Sequence, residues 1–222
     1  MSPPIRVLVA DDETIVRDGL RTIIELEDDL QVVAEAANGD QAVNAAREHH
    51  PDIALIDIQM PGTDGIEATR RLLALPTPPK VLVLTTFDRN EYVYESMRAG
   101  ASGFLLKDVH RGQLTDAIRT VIAGDTLLAP TITRRLIEEF CRHPAPGTAI
   151  PAQLEELTPR ELEILALLAR GLSNTEIADQ LIIGETTVKT HVARILSKLH
   201  LRDRAQAVVL AYETGLTRPR SQ

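Results

Sequence analysis

The sequence predicts an α/β domain built on a five-stranded parallel sheet, followed by a small all-α domain. Three observations carry that prediction: short apolar runs alternate with helical patterns over about residues 4–125, prolines cluster at 141–151, and the pattern is purely helical from Thr158 onward. The runs at 5–9, 32–34, 53–56, 81–84 and 103–106 are short and β-branched or leucine-rich, as strands buried on both faces are. The first intervening helix places Val16, Leu20, Ile23 and Ile24 on one face, and the last places Leu114, Ala117, Ile118, Val121 and Ile122. Strands alternating with helices imply a doubly wound sheet.

Between 141 and 151, three prolines and a glycine remove hydrogen-bond donors and helical conformations, which reads as a linker. The expected division is residues 1–126, a helix end and Pro-rich linker over 127–153, and a second domain over 154–222. Two helix starts in that domain are legible as capping boxes, Thr158-Pro159-Arg160-Glu161 and Ser173-Asn174-Thr175-Glu176. Arg170-Gly171 ends the first of these helices. A turn at Ile182-Ile183-Gly184 leads into a helix over 185–199, whose Val188, Val192, Ile195, Leu196 and Leu199 form one apolar stripe. Two helices joined by such a turn suggest a helix-turn-helix.

With 44% hydrophobic and 25% charged residues and a mean hydropathy of −0.05, the chain reads as globular and not as disordered. The apolar run near Met1 is too short for a signal-peptide core, and no run reaches the roughly 20 residues that span a bilayer. A cytoplasmic location without membrane contact is therefore expected. Cys141 is the only cysteine, which excludes an intramolecular disulfide and a cysteine-rich metal site. The net charge of −8 is unevenly spread: residues 1–127 hold 12 Lys/Arg against 21 Asp/Glu, net −9, whereas residues 128–222 hold 12 against 11, net +1. Within 186–204, Lys189, Arg194, Lys198, Arg202 and Arg204 face only Asp203, which makes a local basic patch.

In an open parallel sheet, ligands sit beyond the carboxyl ends of the strands. Those ends carry Asp11 and Asp12, then Asp57, then Thr85 and Thr86, then Lys107. Three carboxylates would converge there with one ammonium and hydroxyls, and hard oxygen ligands at such density favour Mg²⁺. Asp57 could then act as a nucleophile forming an acyl phosphate, with the cation and Lys107 offsetting charge on the phosphoryl oxygens. Taken singly, each residue has a structural reading: Asp11-Asp12 as a helix cap, Asp57 to Gly62 as a turn, Lys107 as a surface lysine, Thr85 and Phe104 as turn and core. Agreement of four strand ends in order and spacing favours the chemical reading.

The segments Val-Leu-Val-Ala-Asp-Asp (7–12), Leu-Ile-Asp-Ile-Gln-Met-Pro-Gly-Thr-Asp-Gly (55–65) and Gly-Phe-Leu-Leu-Lys-Asp (103–108) resemble a response-regulator receiver, and the likeness spans the first domain. The resemblance implies a flavodoxin-like fold in which Asp57 takes phosphate from a sensor histidine kinase. It further implies that Asp11, Asp12, Asp57 and the Gln59 backbone carbonyl hold Mg²⁺, that Lys107 contacts the phosphoryl group, and that Thr85 and Phe104 are a switch pair. On phosphorylation Thr85 would move to the phosphoryl oxygen and Phe104 would pack inward.

From Leu157 to Val192 the sequence resembles the LuxR-type helix-turn-helix, and with the receiver this is similar to the NarL/FixJ arrangement. Setting the apolar stripe inward leaves Thr186, Thr190, Ala193, Arg194 and Ser197 outward, with Lys189 flanking, on a face suited to the major groove. By resemblance Lys189 and Thr190 are base-edge contacts, while His191, Arg194, Lys198 and Arg204 are candidates for phosphates or the groove edge. Ala193 stands where the family often has a basic residue, which bears on the target sequence. Gly184 replaces a usual Ser at a cap, which glycine serves acceptably. The implied partners are the kinase, double-stranded promoter DNA, a second copy of the chain when phosphorylated, and RNA polymerase. Two alternatives are a regulator that works without phosphate and an aspartyl-phosphate phosphatase. The phosphatase chemistry wants a second carboxylate two residues after the nucleophile, where this chain has Gln59. The expectation is a regulator and not an enzyme.

Overall fold

The computed structural model describes residues 3–85, 90–123 and 154–217. The expected linker at 127–153, with Cys141, and also Thr86 lie outside the described residues. The chain divides into two compact units, Met1–Leu127 and Leu128–Gln222.

The first unit alternates strands and helices: β1 (Ile5–Ala10), α1 (Thr14–Glu25), β2 (Leu30–Ala36), α2 (Gly39–His49), β3 (Ile53–Asp57), α3 (Gly65–Leu73), β4 (Lys80–Thr85), α4 (Asn90–Ala99), β5 (Gly103–Leu106) and α5 (Arg111–Ile122). The strands form one sheet in the order β2-β1-β3-β4-β5, every pairing parallel. That is the doubly wound flavodoxin-like order, whose switch point lies between β1 and β3. All five residues of the central β3 are buried, which is why it reads as a continuous apolar run. On one face of the sheet, alternate residues Val7, Val9, Ile53, Leu55, Leu82 and Leu84 pack with Ile24 of α1 and Leu114, Ile118 and Val121 of α5. β2 runs longer than its apolar stretch indicates because it is an edge strand, where Gln31 and Glu35 are tolerated.

The second unit holds α6 (Pro159–Ala169), α7 (Asn174–Leu181), α8 (Glu185–Lys198) and α9 (Arg204–Glu213). Both expected capping boxes are formed, at Thr158 with Glu161 and at Ser173 with Glu176. Gly171 takes the positive φ of 82° needed to leave α6. Val188 and Ile195 of α8 are fully buried, while Val192, Leu196 and Leu199 are half-buried. The turn from α7 to α8 is made by Ile182, a β-branched residue at φ 54° whose side chain stands in solvent at 92% exposure. Helix α9 closes the core against α6: Ala207, Val208 and Ala211 are buried, and the Tyr212 hydroxyl donates to the Ala169 carbonyl at 2.8 Å. This places Ala207, Val208 and Ala211 of the last helix in the domain's own core. No helix among the described residues is long and apolar enough to cross a membrane.

Candidate functional site

The carboxyl ends of β1, β3, β4 and β5 bring the expected groups together. Asp11 and Asp57 are 1% and 6% exposed, and the Lys107 ammonium bridges them, 2.6 Å from Asp11 Oδ2 and 2.9 Å from Asp57 Oδ2. Carboxylate oxygens of Asp11, Asp12 and Asp57 lie within 4.8 Å of one another. Three carboxylates against one ammonium leave a negative excess, and the oxygen-only donor set fits a hard divalent cation. Asp12 is the exposed member of the cluster. Beside it opens a cleft of about 480 Å³, lined by Gln59, Met60, Asp64, Tyr92 and Glu95 among others.

The backbone explains why the site forms. Asp11 directly follows β1, its N–H donating to the Ala36 carbonyl, and its Oδ1 accepts the Glu13 N–H at 3.0 Å. Asp11 therefore braces the entry to α1 from outside the helix, whose cap position is Glu13. Asp57 is the last residue of β3, and the chain turns back so closely that the Gly65 N–H donates to the Ile58 carbonyl at 2.9 Å. A Cβ at Gly65 would fall 2.0 Å from the Asp57 carbonyl oxygen, so only glycine lets α3 start there. Asp64 caps α3 by accepting the Glu67 N–H at 2.8 Å.

Burial pushes the Asp57 carboxyl above its usual range, against the opposing pull of the Lys107 ammonium and the Gln59 backbone hydrogen bond. Burial alone would lower Lys107, but its hydrogen bonds to Asp11 and Asp57 outweigh that and hold it above the ordinary lysine value. Thr85 is fully buried, and its carbonyl accepts the Lys107 N–H at 2.9 Å. Phe104 is also fully buried, paired in register with Val83, so the inward position expected of the phosphorylated switch is occupied here. The Gln59 side chain donates to the Tyr92 hydroxyl at 3.3 Å, a link from the β3–α3 loop to α4 that the sequence motif did not suggest.

On α8, Thr186, Lys189, Thr190, Ala193, Arg194 and Ser197 are exposed, as the helical pattern predicts. Lys189 pairs with Glu185 one turn back at 2.9 Å, and the Thr190 hydroxyl donates to the Thr186 carbonyl at 2.9 Å. His191 is half-buried. Two of the residues expected at phosphates or the groove edge also make contacts inside the domain. Lys198 reaches the buried Glu161 carboxylate at 2.7 Å and the Glu156 carbonyl at 3.1 Å. Arg204 donates to Asn174 Oδ1 at 3.0 Å and to the Leu172 carbonyl, tying α9 to the α6–α7 turn. Helical spacing marks such residues as surface cations because their partners lie 30 or more positions away.

An acidic pocket at the carboxyl edge of a 2-1-3-4-5 sheet, followed in one chain by a doubly capped helix-turn-helix, defines a two-domain signalling regulator. The chain belongs to the response-regulator family with a LuxR-type DNA-binding domain: residues 7–119 match the response regulator receiver domain, and residues 155–211 match the bacterial regulatory proteins of the luxR family. It is 42% identical over 212 residues to the transcriptional regulatory protein LiaR of Bacillus subtilis, covering 96% of this chain and 99% of that one. It is equally similar to the uncharacterized transcriptional regulatory protein YxjL of the same organism, at 42% over 96% and 97% of the two chains. Among solved structures, the response regulator ChrA of a heme-sensing two-component system is 40% identical, with 97% of this chain and 100% of that chain covered and a TM-score of 0.54.

Proposed function

We propose that this chain is a phosphorylation-switched transcription factor of a two-component system. Asp57 accepts a phosphoryl group from a sensor histidine kinase, and the phosphorylated chain dimerises and binds double-stranded promoter DNA. The observation that carries this reading is the buried Asp57 carboxylate held 2.9 Å from Lys107, with Asp11 and Asp12 alongside.

In the transfer, an Asp57 oxygen attacks the phosphorus, the P–N bond to the donor imidazole breaks, and the imidazole leaves with that electron pair. Asp11, Asp12 and Asp57, with the Gln59 carbonyl, would hold Mg²⁺, which when bound supplies positive charge against the transferring oxygens. Lys107 supplies the fixed ammonium on the other side, and Thr85 hydrogen-bonds the new phosphoryl oxygen. The acyl phosphate is the signal and not a turnover intermediate, because position 59 is Gln and offers no acid to a leaving group. The chain is thus a regulator acting in the cytoplasm, divided as residues 1–126, 127–153 and 154–222. The exposed Lys189 and Thr190 contact base edges in the major groove and specify the site, while the exposed Arg194 contacts a phosphate or the groove edge and positions the helix.

Intact-protein mass spectrometry after incubation with acetyl phosphate and Mg²⁺ tests the acceptor. The wild type gains one phosphoryl group and Asp57→Ala gains none; equal labelling of both would remove Asp57 from the role.

A further inference from the structure

The Asp12 carboxylate is the exposed member of the acidic cluster, and among the described residues no hydrogen bond or ion pair holds it. Its direction is therefore set by the backbone that carries it. That backbone is pinned from an unexpected side. Arg17, one turn into α1, is only 14% exposed, and its guanidinium donates to the Asp11 carbonyl at 2.7 Å and to the Thr14 hydroxyl at 3.0 Å. Behind it stands Glu35 of β2, 3.8 Å from Arg17 Nε and 2.8 Å from Arg21. The Asp11 carbonyl belongs to the peptide that joins Asp11 to Asp12, so a donor fixed on that oxygen fixes the plane from which Asp12 projects.

We propose that Arg17 is a positioning residue for the divalent-cation site, orienting Asp12 through the Asp11–Asp12 peptide. This rests on the reading of Asp11, Asp12 and Asp57 as cation ligands. Electrostatics and geometry make opposite demands here, which gives the idea a sign. Arg17 places a positive charge at the peptide between Asp11 and Asp12, which carry two of the three carboxylates, so by charge alone its removal tightens cation binding. As a positioning residue its removal loosens binding, on the scale of about tenfold that losing a partner of a metal ligand usually costs. Arg17→Lys keeps the charge and one donor but not the planar fork that spans the Asp11 carbonyl and the Thr14 hydroxyl, and so falls between the two.

The test is Mn²⁺ binding to the full chain, read by electron paramagnetic resonance of the free ion, for wild type, Arg17→Gln, Arg17→Lys and Asp12→Ala. Thermal melting without metal checks that each variant is folded. The expected order of affinity is wild type, Arg17→Lys, Arg17→Gln, with Asp12→Ala weakest. Arg17→Gln binding Mn²⁺ as tightly as the wild type, or more tightly, overturns the positioning role while leaving the cation site intact. Wild type binding no better than Asp12→Ala overturns the cation reading itself. Should Arg17→Gln not fold, Arg17→Lys decides alone: weaker binding at an unchanged melting temperature supports the role, and unchanged binding refutes it.

Discussion

Burial of charge means opposite things in the two units of this chain. In the first, the buried carboxylates Asp11 and Asp57 and the half-buried Lys107 form the candidate site: they sit at the ends of strands, the ammonium bridges the two carboxylates, and a cleft opens beside them. In the second, the buried carboxylates Asp203 and Glu161 are each 3% exposed and serve the fold: Asp203 caps α9 by accepting the Gln206 N–H, and Glu161 stands in the first turn of α6. Glu161 closes the Thr158 capping box and receives Lys198 from α8, while the groups suited to a ligand are the exposed ones on α8. The difference follows from the proposed ligands. A phosphoryl group and a cation are small enough to be surrounded, so their partners are sunk in a low-dielectric corner where charge is strongly felt. A DNA duplex is larger than the domain, so its partners stand outward on one helix face.

Substitutions break or sharpen that comparison. The largest effect is expected at Gly65, where the Cβ of Gly65→Ala meets the Asp57 carbonyl at 2.0 Å. Overpacking against backbone costs about 3 kcal/mol, and urea unfolding of the full chain should show it together with lost phosphoryl uptake. Lys198→Ala strands the Glu161 carboxylate in the other unit. Removing one partner of a buried pair costs 3 kcal/mol or more as a rough rule, and the partial exposure of Lys198 and the remaining Thr158 donors reduce this to about 2. Phosphoryl uptake should be untouched.

The same carboxylate sets a pH dependence. Burial pushes Glu161 up, but Lys198 and the Thr158 donors outweigh it and hold it at about 2, below its usual 4.5. A depressed carboxylate stabilises the fold above its unfolded value and loses that contribution as pH falls toward the folded one. The second unit should therefore weaken between pH 4.5 and about 2, and Lys198→Ala should move the onset of acid unfolding, followed by circular dichroism, to higher pH.

Arg194→Ala leaves the fold alone, since the residue is exposed. It should weaken promoter binding and lower the salt slope by roughly one, as loss of a phosphate contact does, in a fluorescence-anisotropy titration. The smallest effect is a gain. Ile182 holds a left-handed conformation with its side chain in solvent, so Ile182→Asn or Ile182→Gly should stabilise the second unit by about 1 kcal/mol in a chemical melt.

What the sequence displayed, and what it hid, divides along the same lines. Strand ends were legible because buried parallel strands are apolar runs whose first polar residue marks the edge, as Asp11 and Asp57 do. Capping boxes were legible because both partners lie within four residues. Contacts between distant positions were not: nothing local shows that Lys198 reaches Glu161, that Arg204 reaches Asn174, or that Gly65 must lack a Cβ to clear Asp57. The Arg17 hydrogen bond to the Asp11 carbonyl and the Gln59 side-chain link to Tyr92 were hidden for the same reason, since helical spacing marks Arg17 only as a surface residue and the motif points only to the Gln59 backbone. The edge strand β2 was seen only in part because its exposed positions break the apolar run.

The central claim is that phosphoryl transfer to Asp57 drives assembly of the DNA-binding form. Sedimentation velocity of the full chain with Mg²⁺, with and without acetyl phosphate, for wild type and Asp57→Ala tests it most directly. A dimer that appears only in the wild type and only with the donor is the predicted result; a dimer fraction independent of both donor and Asp57 would contradict the claim.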